Sequence, residues 1–391
     1  MNIFDRRYEL MSRGQLEQLQ LERLQALLAR LRRNVRRYRE KLGDARLESL
    51  AEVPRLPLTT PEEVAASFPY GLFAFPLREV IRLHSTLGPE GRPLVIGHTR
   101  NDLAQWGRLV ARQLVASGVT ANDVVQISLG GAAHSGASGY VLGAELIEAS
   151  VIAEDPLHTD YQLAMLQNYR PTILITTPTN AFALRRALEK QRLDPQSLHL
   201  RAVLLSRPVD AAEREQLAAG LFAAVQCNFG VGEILDPGLC LECPAGHLHV
   251  HEDQFLAEVC EGELVLTTLG REAMPLLRYR TRVAAELRRD KCPCGRTGAW
   301  LQPGARLDQR FRVRETHFYE RQVAEILAQT RAAGHRFTLA ASEQRLLLAI
   351  EISQDLFANA LASGHDPRRE LESELLARLG VEAEVRFIEK R

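Results

Sequence analysis

Two short stretches bring thiols and imidazoles together at metal-ligand spacing. Cys292-Pro-Cys294-Gly-Arg-Thr is a Cys-x-Cys hook of the kind that suits a metal-gripping loop, and Cys243-x5-His249 lies upstream of it. Cys243, His249, Cys292 and Cys294 would supply three thiolates and one imidazole, a closed tetrahedral set that suits structural Zn²⁺. The choice of ligands is open. Cys240 and His251 are further candidates, and His247, His249 and His251 alternate along a strand-like run, so all three point to one face. The plainer alternative is that these are reduced, buried cysteines. Six cysteines in 391 residues do not make a disulfide framework.

Something must carry the hook. Gly262-Glu-Leu-Val-Leu-Thr-Thr268 reads as a strand that would bring it to one edge of a sheet, within a β- and turn-rich stretch from about residue 236 to 303. Upstream, strand-like and helix-like segments alternate. The strands are 124–129, 149–153, 172–176 and 200–205, and the helices are 139–149, 160–169, 180–191 and 210–219. That βαβα order predicts an α/β fold whose parallel sheet is wrapped by helices. Residues 13–43 read as one long amphipathic helix, with Leu16, Leu19, Leu21, Leu24, Leu27, Leu28 and Leu31 at helical spacing. Its Arg-rich part, Arg30 to Arg39, reads as a solvated helix face. Thr60 should cap a helix with Pro61 in its first position. Beyond a hinge near Pro303–Asp308, a helix (319–332), two strands (336–341, 345–353), a helix (366–379) and a strand (382–388) predict a small α+β domain. The expected domains are 1–303 and 304–391.

Composition narrows the partners. Lys+Arg and Asp+Glu both number 49, so the net charge is zero, which argues against nucleic acid or an anionic membrane surface. No run approaches the ~18 apolar residues of a membrane span. The opening Met-Asn-Ile-Phe-Asp-Arg-Arg-Tyr lacks the apolar core of a signal peptide. The expectation is a cytoplasmic protein with a small-molecule ligand, and a homodimer is allowed.

Taken in order, the landmarks resemble the phenylacetate–CoA ligase family of adenylate-forming enzymes. They are Leu56-Pro-Leu-Thr-Thr-Pro61, Pro69-Tyr-Gly-Leu-Phe-Ala74, Arg82-Leu-His-Ser85, Gly143-Ala-Glu145, Thr177-Pro178, Phe229-Gly-Val-Gly-Glu233, His249-Val-His-Glu-Asp253, Ala273-Met-Pro-Leu-Leu-Arg-Tyr-Arg-Thr281 and the Cys-x-Cys hook. Each is weak alone, but their joint order covers almost the whole chain. The resemblance implies an adenylate-forming-enzyme fold: a large N-terminal α/β domain with a β-rich subdomain, and a small mobile C-terminal domain. The implied reaction joins an aryl or acyl acid to CoA through an acyl-adenylate, using ATP and Mg²⁺. Glu233 would hold Mg²⁺, Gly88, Gly91, Arg92 and Arg280 would meet phosphates, and Phe229 and Gly230 would orient the nucleotide. Asp308 would set the hinge. His134, Ser135 and Gly136, in the Gly-rich stretch 130–139, would line the acid pocket.

The chain departs from the family where that chemistry is done. The phosphate loop, resembling Ser-Ser-Gly-Thr-Thr-Gly-Lys-Pro in relatives, is Thr86-Leu-Gly-Pro-Glu-Gly-Arg-Pro93 here. Pro89 lacks an N–H, and Glu90 places a carboxylate where phosphate oxygens would lie. Gly232 replaces a threonine. Val283 stands where an aspartate would accept both ribose hydroxyls, a loss of about 3 kcal/mol or more for two bonds to a charged acceptor. The tail ends at Lys390-Arg391 without a Gly-Lys loop. These losses fall on phosphate, ribose and catalytic lysine together. They predict a ligase-like scaffold with weakened or lost adenylation that binds an acyl or aryl acid or a nucleotide. The alternative is an active AMP-forming acid–CoA ligase.

Overall fold

The computed structural model describes residues 2–129, 135–152, 158–314, 316–330, 332–342, 345–352 and 367–389. The chain forms two compact units. The larger comprises Met1–Thr86 and Leu94–Ala305, and the smaller comprises Leu87–Pro93 and Arg306–Arg391. Leu87–Pro93 is the tip of a hairpin between β1 (Val80–Leu87) and β2 (Pro93–Thr99). No sequence signal indicates its grouping with the C-terminal residues.

In the larger unit, five strands form one parallel sheet in the order β4-β3-β5-β6-β7: β3 (Val124–Ser128), β4 (Ser150–Ile152), β5 (Ile173–Thr176), β6 (Ala202–Leu205) and β7 (Ala224–Cys227). β5 and β6 are buried at every residue, as strands covered on both faces must be. The connecting helices are α6 (Ser135–Leu146), α7 (Thr159–Tyr169), α8 (Pro178–Gln191) and α9 (Ala211–Leu221), and α5 (Arg100–Ala116) precedes β3. A second sheet runs β10-β11-β12-β13-β9-β8. Its strands are β8 (Cys240–Glu242), β9 (Leu248–Val250), β10 (Phe255–Cys260), β11 (Glu263–Thr268), β12 (Tyr279–Arg288) and β13 (Trp300–Arg306).

The long N-terminal helix is broken. α2 (Arg13–Asn34) ends at Val35, which is extended (φ −118°, ψ 108°), and α3 (Arg36–Leu42) restarts after it. Val35 and Tyr38 are both buried, and the Tyr38 hydroxyl meets Thr59 Oγ1 at 2.9 Å and accepts from Leu277 N at 3.2 Å. A straight helix would not satisfy both burials and that hydroxyl, so tertiary packing overrides propensity. Thr60 caps α4 (Pro61–Ala65) in a capping box with Glu63, as its sequence dictates.

The smaller unit contains the hairpin β14 (Arg310–Val313)–β15 (Thr316–Tyr319), then α10 (Glu320–Leu327). A three-stranded sheet follows, β16 (Phe337–Ala341), β17 (Leu346–Ile352) and β18 (Ala383–Glu389), with helix Pro367–Leu379 between its last two strands. Val323, Ile326 and Leu327 of α10 share one apolar cluster with Leu346, Leu348, Leu371 and Leu375.

Charges buried around His249–Asp253 tie the N-terminal segment to the second sheet. Arg296 pairs with Glu9 at 2.8 Å, with both side chains 3% exposed, and it also donates to Asn2 O. Arg112 pairs with Asp253 at 2.8 Å and with Asp5 at 3.0 Å. Arg13 grips Glu252, whose other bond is from Ala299 N. Removing one partner of such a buried pair strands the other charge, at about 3–5 kcal/mol. Glu9→Ala should therefore lose stability on that scale in urea unfolding. A loss under about 1 kcal/mol, the size of an exposed pair, would mean that Arg296 re-solvates and the pair holds nothing.

Candidate functional site

The metal-ligand candidates come from three places in the second sheet. Cys243 follows edge strand β8, His249 lies on β9, and Cys292 and Cys294 lie in the loop before β13. The structure brings the ligand atoms of Cys243, His249, Cys292 and Cys294 within 4.8 Å of one another. Cys243 Sγ is 3.6 Å from Cys292 Sγ, and Cys294 Sγ is 3.4 Å from His249 Nε2. A tetrahedral ion with metal–sulfur bonds of ~2.3 Å and metal–nitrogen bonds of ~2.0 Å separates such donors by roughly 3.5–3.8 Å. The donor set therefore fits a divalent metal. His249 Nδ1 lies 2.9 Å from Gly298 O, which assigns the proton to that nitrogen and leaves Nε2 facing the sulfurs. Burial holds His249 neutral, down to about 4.

Of the alternatives, Cys240 is fully buried on β8 and lies outside the cluster. His247 stacks on Trp300 (4.0 Å, 3°) with Nδ1 3.1 Å from Cys292 Sγ, beside the cluster. His251 lies apart, lining a recess with Arg112, Asp253 and Arg296.

The second cluster is built by the turn after β7. Val231 and Leu235 exchange backbone hydrogen bonds of 3.3 and 2.8 Å, closing a tight loop over Gly232 and Glu233. The loop folds Asp236 back over Gly230, where a Cβ would stand 2.4 Å from Asp236 Oδ1. Asn228 Nδ2 donates to that oxygen at 2.7 Å and is itself held by Gln113 through Asn228 Oδ1. Burial pushes the Asp236 carboxyl up to about 6, against the Asn228 bond, and the nearby charge of Glu233 adds to the rise. Thr86 Oγ1 lies 2.7 Å from where a Gly232 Cβ would be, so a hydroxyl from β1 occupies the space of the missing threonine. Trp106 Nε1 donates to Pro237 O at 2.7 Å, and His98 stacks on that indole (5.1 Å, 8°).

The other expected residues are placed as follows. Phe229 is buried at the start of the turn. Gly88, Gly91 and Arg92 spend their N–H groups inside the hairpin, on Arg92 O (2.8 Å), Gly88 O (3.2 Å) and Pro89 O (3.1 Å). Gly91 lies against the Gln322 side chain of α10. Arg280 pairs with Glu263, which is almost fully buried, and Glu263 also accepts from Arg282 N at 2.8 Å. Arg282 is left-handed (φ 58°) in a bulge that turns Val283 into the hydrophobic core. Asp308 accepts from Arg306 Nε at 2.6 Å and from the Tyr319 hydroxyl at 3.0 Å. His134 and Lys390 lie outside the described residues. Gly136 is in the first turn of α6, which opens with Ser135, and a Cβ there would lie 3.5 Å from Pro237. Asp236, Thr86 and Glu263 were not foreseen. Nothing in the sequence marks an acid before proline as buried, and their placement follows from the turn and the bulge alone.

Comparison with known proteins places this geometry. The chain is 32% identical over 404 residues to the phenylacetate–coenzyme A ligase of Thermus thermophilus, covering 97% of this chain and 88% of that protein. It is 29% identical to the Aromatoleum evansii enzyme of the same name (97% and 91%) and 27% identical to that of Escherichia coli (97% and 92%). Among solved structures, 2-hydroxyisobutyryl-CoA ligase in complex with 2-HIB-AMP and CoA superposes with a TM-score of 0.89 at 23% identity, covering 100% of this chain and 89% of that one. Amide bond synthetase McbA of Marinactinospora thermotolerans gives 0.58 at 16%, covering 80% and 66%. No family model matches the chain. The fold is that of the adenylate-forming CoA ligases. Within that class, the chain belongs to the phenylacetate–CoA ligase family.

The buried Asp236 carboxyl should make stability depend on pH. Below about 4 it is protonated folded or unfolded and carries no penalty. As pH rises to about 6 the unfolded chain ionises first, so the folded state loses at most about 3 kcal/mol. Asp236→Asn should stabilise the fold at pH 8 and leave it little changed at pH 3.5. A difference independent of pH would mean that the carboxyl ionises as freely folded as unfolded.

Proposed function

We propose that this chain is a phenylacetate–CoA ligase-like protein that binds a small aryl or acyl acid beside the Phe229–Glu233 turn and carries out adenylation weakly or not at all. One observation carries this reading. At the position where the family resemblance puts the ribose-binding aspartate, Val283 is packed in the core. The phosphate-loop hairpin supports it, because three of its N–H donors are spent on its own carbonyls. Arg280, held by Glu263, has its charge compensated before any phosphate arrives.

Thr86 favours the second reading, an active AMP-forming acid–CoA ligase. Its hydroxyl takes the space of the threonine lost at Gly232, the residue before Glu233, so a Mg²⁺ and α-phosphate site could persist at that turn. Measuring AMP release from ATP–Mg²⁺ with a panel of aryl and aliphatic acids, with and without CoA, separates the two. The expected result is acid binding by calorimetry with no acid-dependent AMP. Sustained turnover with one acid at an ordinary enzymatic rate, about 1 per second or faster, would overturn the first reading.

The metal is proposed to be zinc, held by Cys243, His249, Cys292 and Cys294 in a structural role, because all four positions are protein ligands and none is left open to substrate. Zinc near one atom per chain is expected, with loss of metal and a lower melting midpoint in Cys294→Ser. Well under one zinc per chain, in protein never exposed to chelator, would sink the assignment.

A further inference from the structure

The acid beside the turn has features that a purely structural carboxyl lacks. Asp236 is crowded by protein on every side, yet keeps some accessible surface, so that surface opens into a recess rather than into bulk water. Its Oδ1 is taken by Asn228. No cation among the described residues pairs with it, and the charge that does reach it, from Glu233, is of the same sign. The second oxygen of a carboxylate in such a place lacks its natural complement, a donor or a cation. Compare Asp253 and Glu242, which expose less surface and each have an arginine. The recess floor is fixed. Trp106 holds the Pro237 carbonyl, and the first turn of α6, where the Gly-rich stretch expected to line the acid pocket continues, packs on Asp236–Pro237 through Gly136. Tyr140 of α6 lies close enough for the charge on Asp236 to act on its buried hydroxyl, which also meets the Gln113 side chain.

We propose that Asp236 is a specificity-determining residue that selects acids carrying a hydrogen-bond donor, an amino or hydroxyl group, remote from the carboxylate. The donor supplies the second oxygen of Asp236 with the partner the fold withholds. An acid with only hydrocarbon at that end leaves the carboxylate desolvated and unpaired, and a site built for a donor rejects the analogue that lacks one. The inference rests on the reading that the chain binds a small acid beside this turn.

The test compares phenylacetate with 4-hydroxyphenylacetate and 4-aminophenylacetate, and butanoate with 4-hydroxybutanoate and 4-aminobutanoate, by calorimetry on the full chain at pH 8. The wild type should bind donor-bearing acids at least tenfold more tightly than their parents. The two donors are read separately. A preference for hydroxyl and amine alike marks hydrogen bonding, and a larger preference for the aliphatic ammonium marks charge. Asp236→Asn keeps the shape and the Asn228 contact and should lose the ammonium preference. Asp236→Ala should lose both preferences while still binding the parents. Equal binding of parent and donor acids by the wild type, or an unchanged preference in both variants, overturns the role of Asp236 alone. Failure of every acid to bind folded wild type overturns the acid-binding reading, and this proposal with it.

Discussion

The structure depends on pairing the charges that the second sheet and the N-terminal segment bury between them. The segment His249–Asp253 is where that pairing concentrates. His249 faces the sulfur cluster, the adjacent Glu252 and Asp253 reach Arg13 and Arg112, and Gln20 donates to the Glu252 carbonyl. The N-terminal segment adds Asp5 and Glu9 to the same set. Hydrophobic burial alone would let that segment slide. Ion pairs with geometry this specific fix its register, because a shift of one residue would leave several buried charges unpaired at once. The metal-ligand loop and the chain's beginning are thereby parts of one object: Thr297 and Arg296, directly after Cys294, hold Met11, Glu9 and Asn2.

The elements where the family resemblance expects a nucleotide show the opposite economy. They are folded, but their polar groups are turned on each other. The β1–β2 tip closes three bonds within itself. Glu263 clamps the β12 bulge by accepting from both Arg280 and Arg282. Arg282 holds a left-handed backbone, a conformation that costs an L-residue roughly 1–2 kcal/mol. That the bulge keeps its shape with an arginine in it indicates that the backbone is set by sheet pairing and by Glu263 rather than by the residue in the bulge. Val283 is a consequence, since the bulge aims that side chain inward, and valine suits the core as an aspartate would not.

Much of this was legible in the sequence. The buried strands at 173–176 and 202–205 announce themselves by composition, the cap at Thr60 by its Thr-Pro-Glu-Glu run, and the four metal-ligand candidates by spacing. The choice of His249 over its neighbours was not, because alternation puts three histidines on one face and only the loop before β13 decides which one meets the sulfurs. The break at Val35 was hidden because Leu31, Val35 and Tyr38 keep helical spacing across it. Asp236 was invisible for a different reason. Its burial is produced by a tight turn folding back over a glycine, and a lone acid before proline carries the same local signal whether it faces water or protein.

The chain contains two tryptophans, and they fall one to each cluster. Trp106 is hydrogen-bonded to Pro237 and stacked on His98 beside the buried acid. Trp300 lies flat on His247, whose ring touches Cys292. The molecule therefore carries a separate intrinsic chromophore at each place of interest. Emission from the first would report on changes around Asp236 and Pro237, and emission from the second on the state of the sulfurs. With either indole replaced by phenylalanine, the two events can be followed independently in the same protein without an added label.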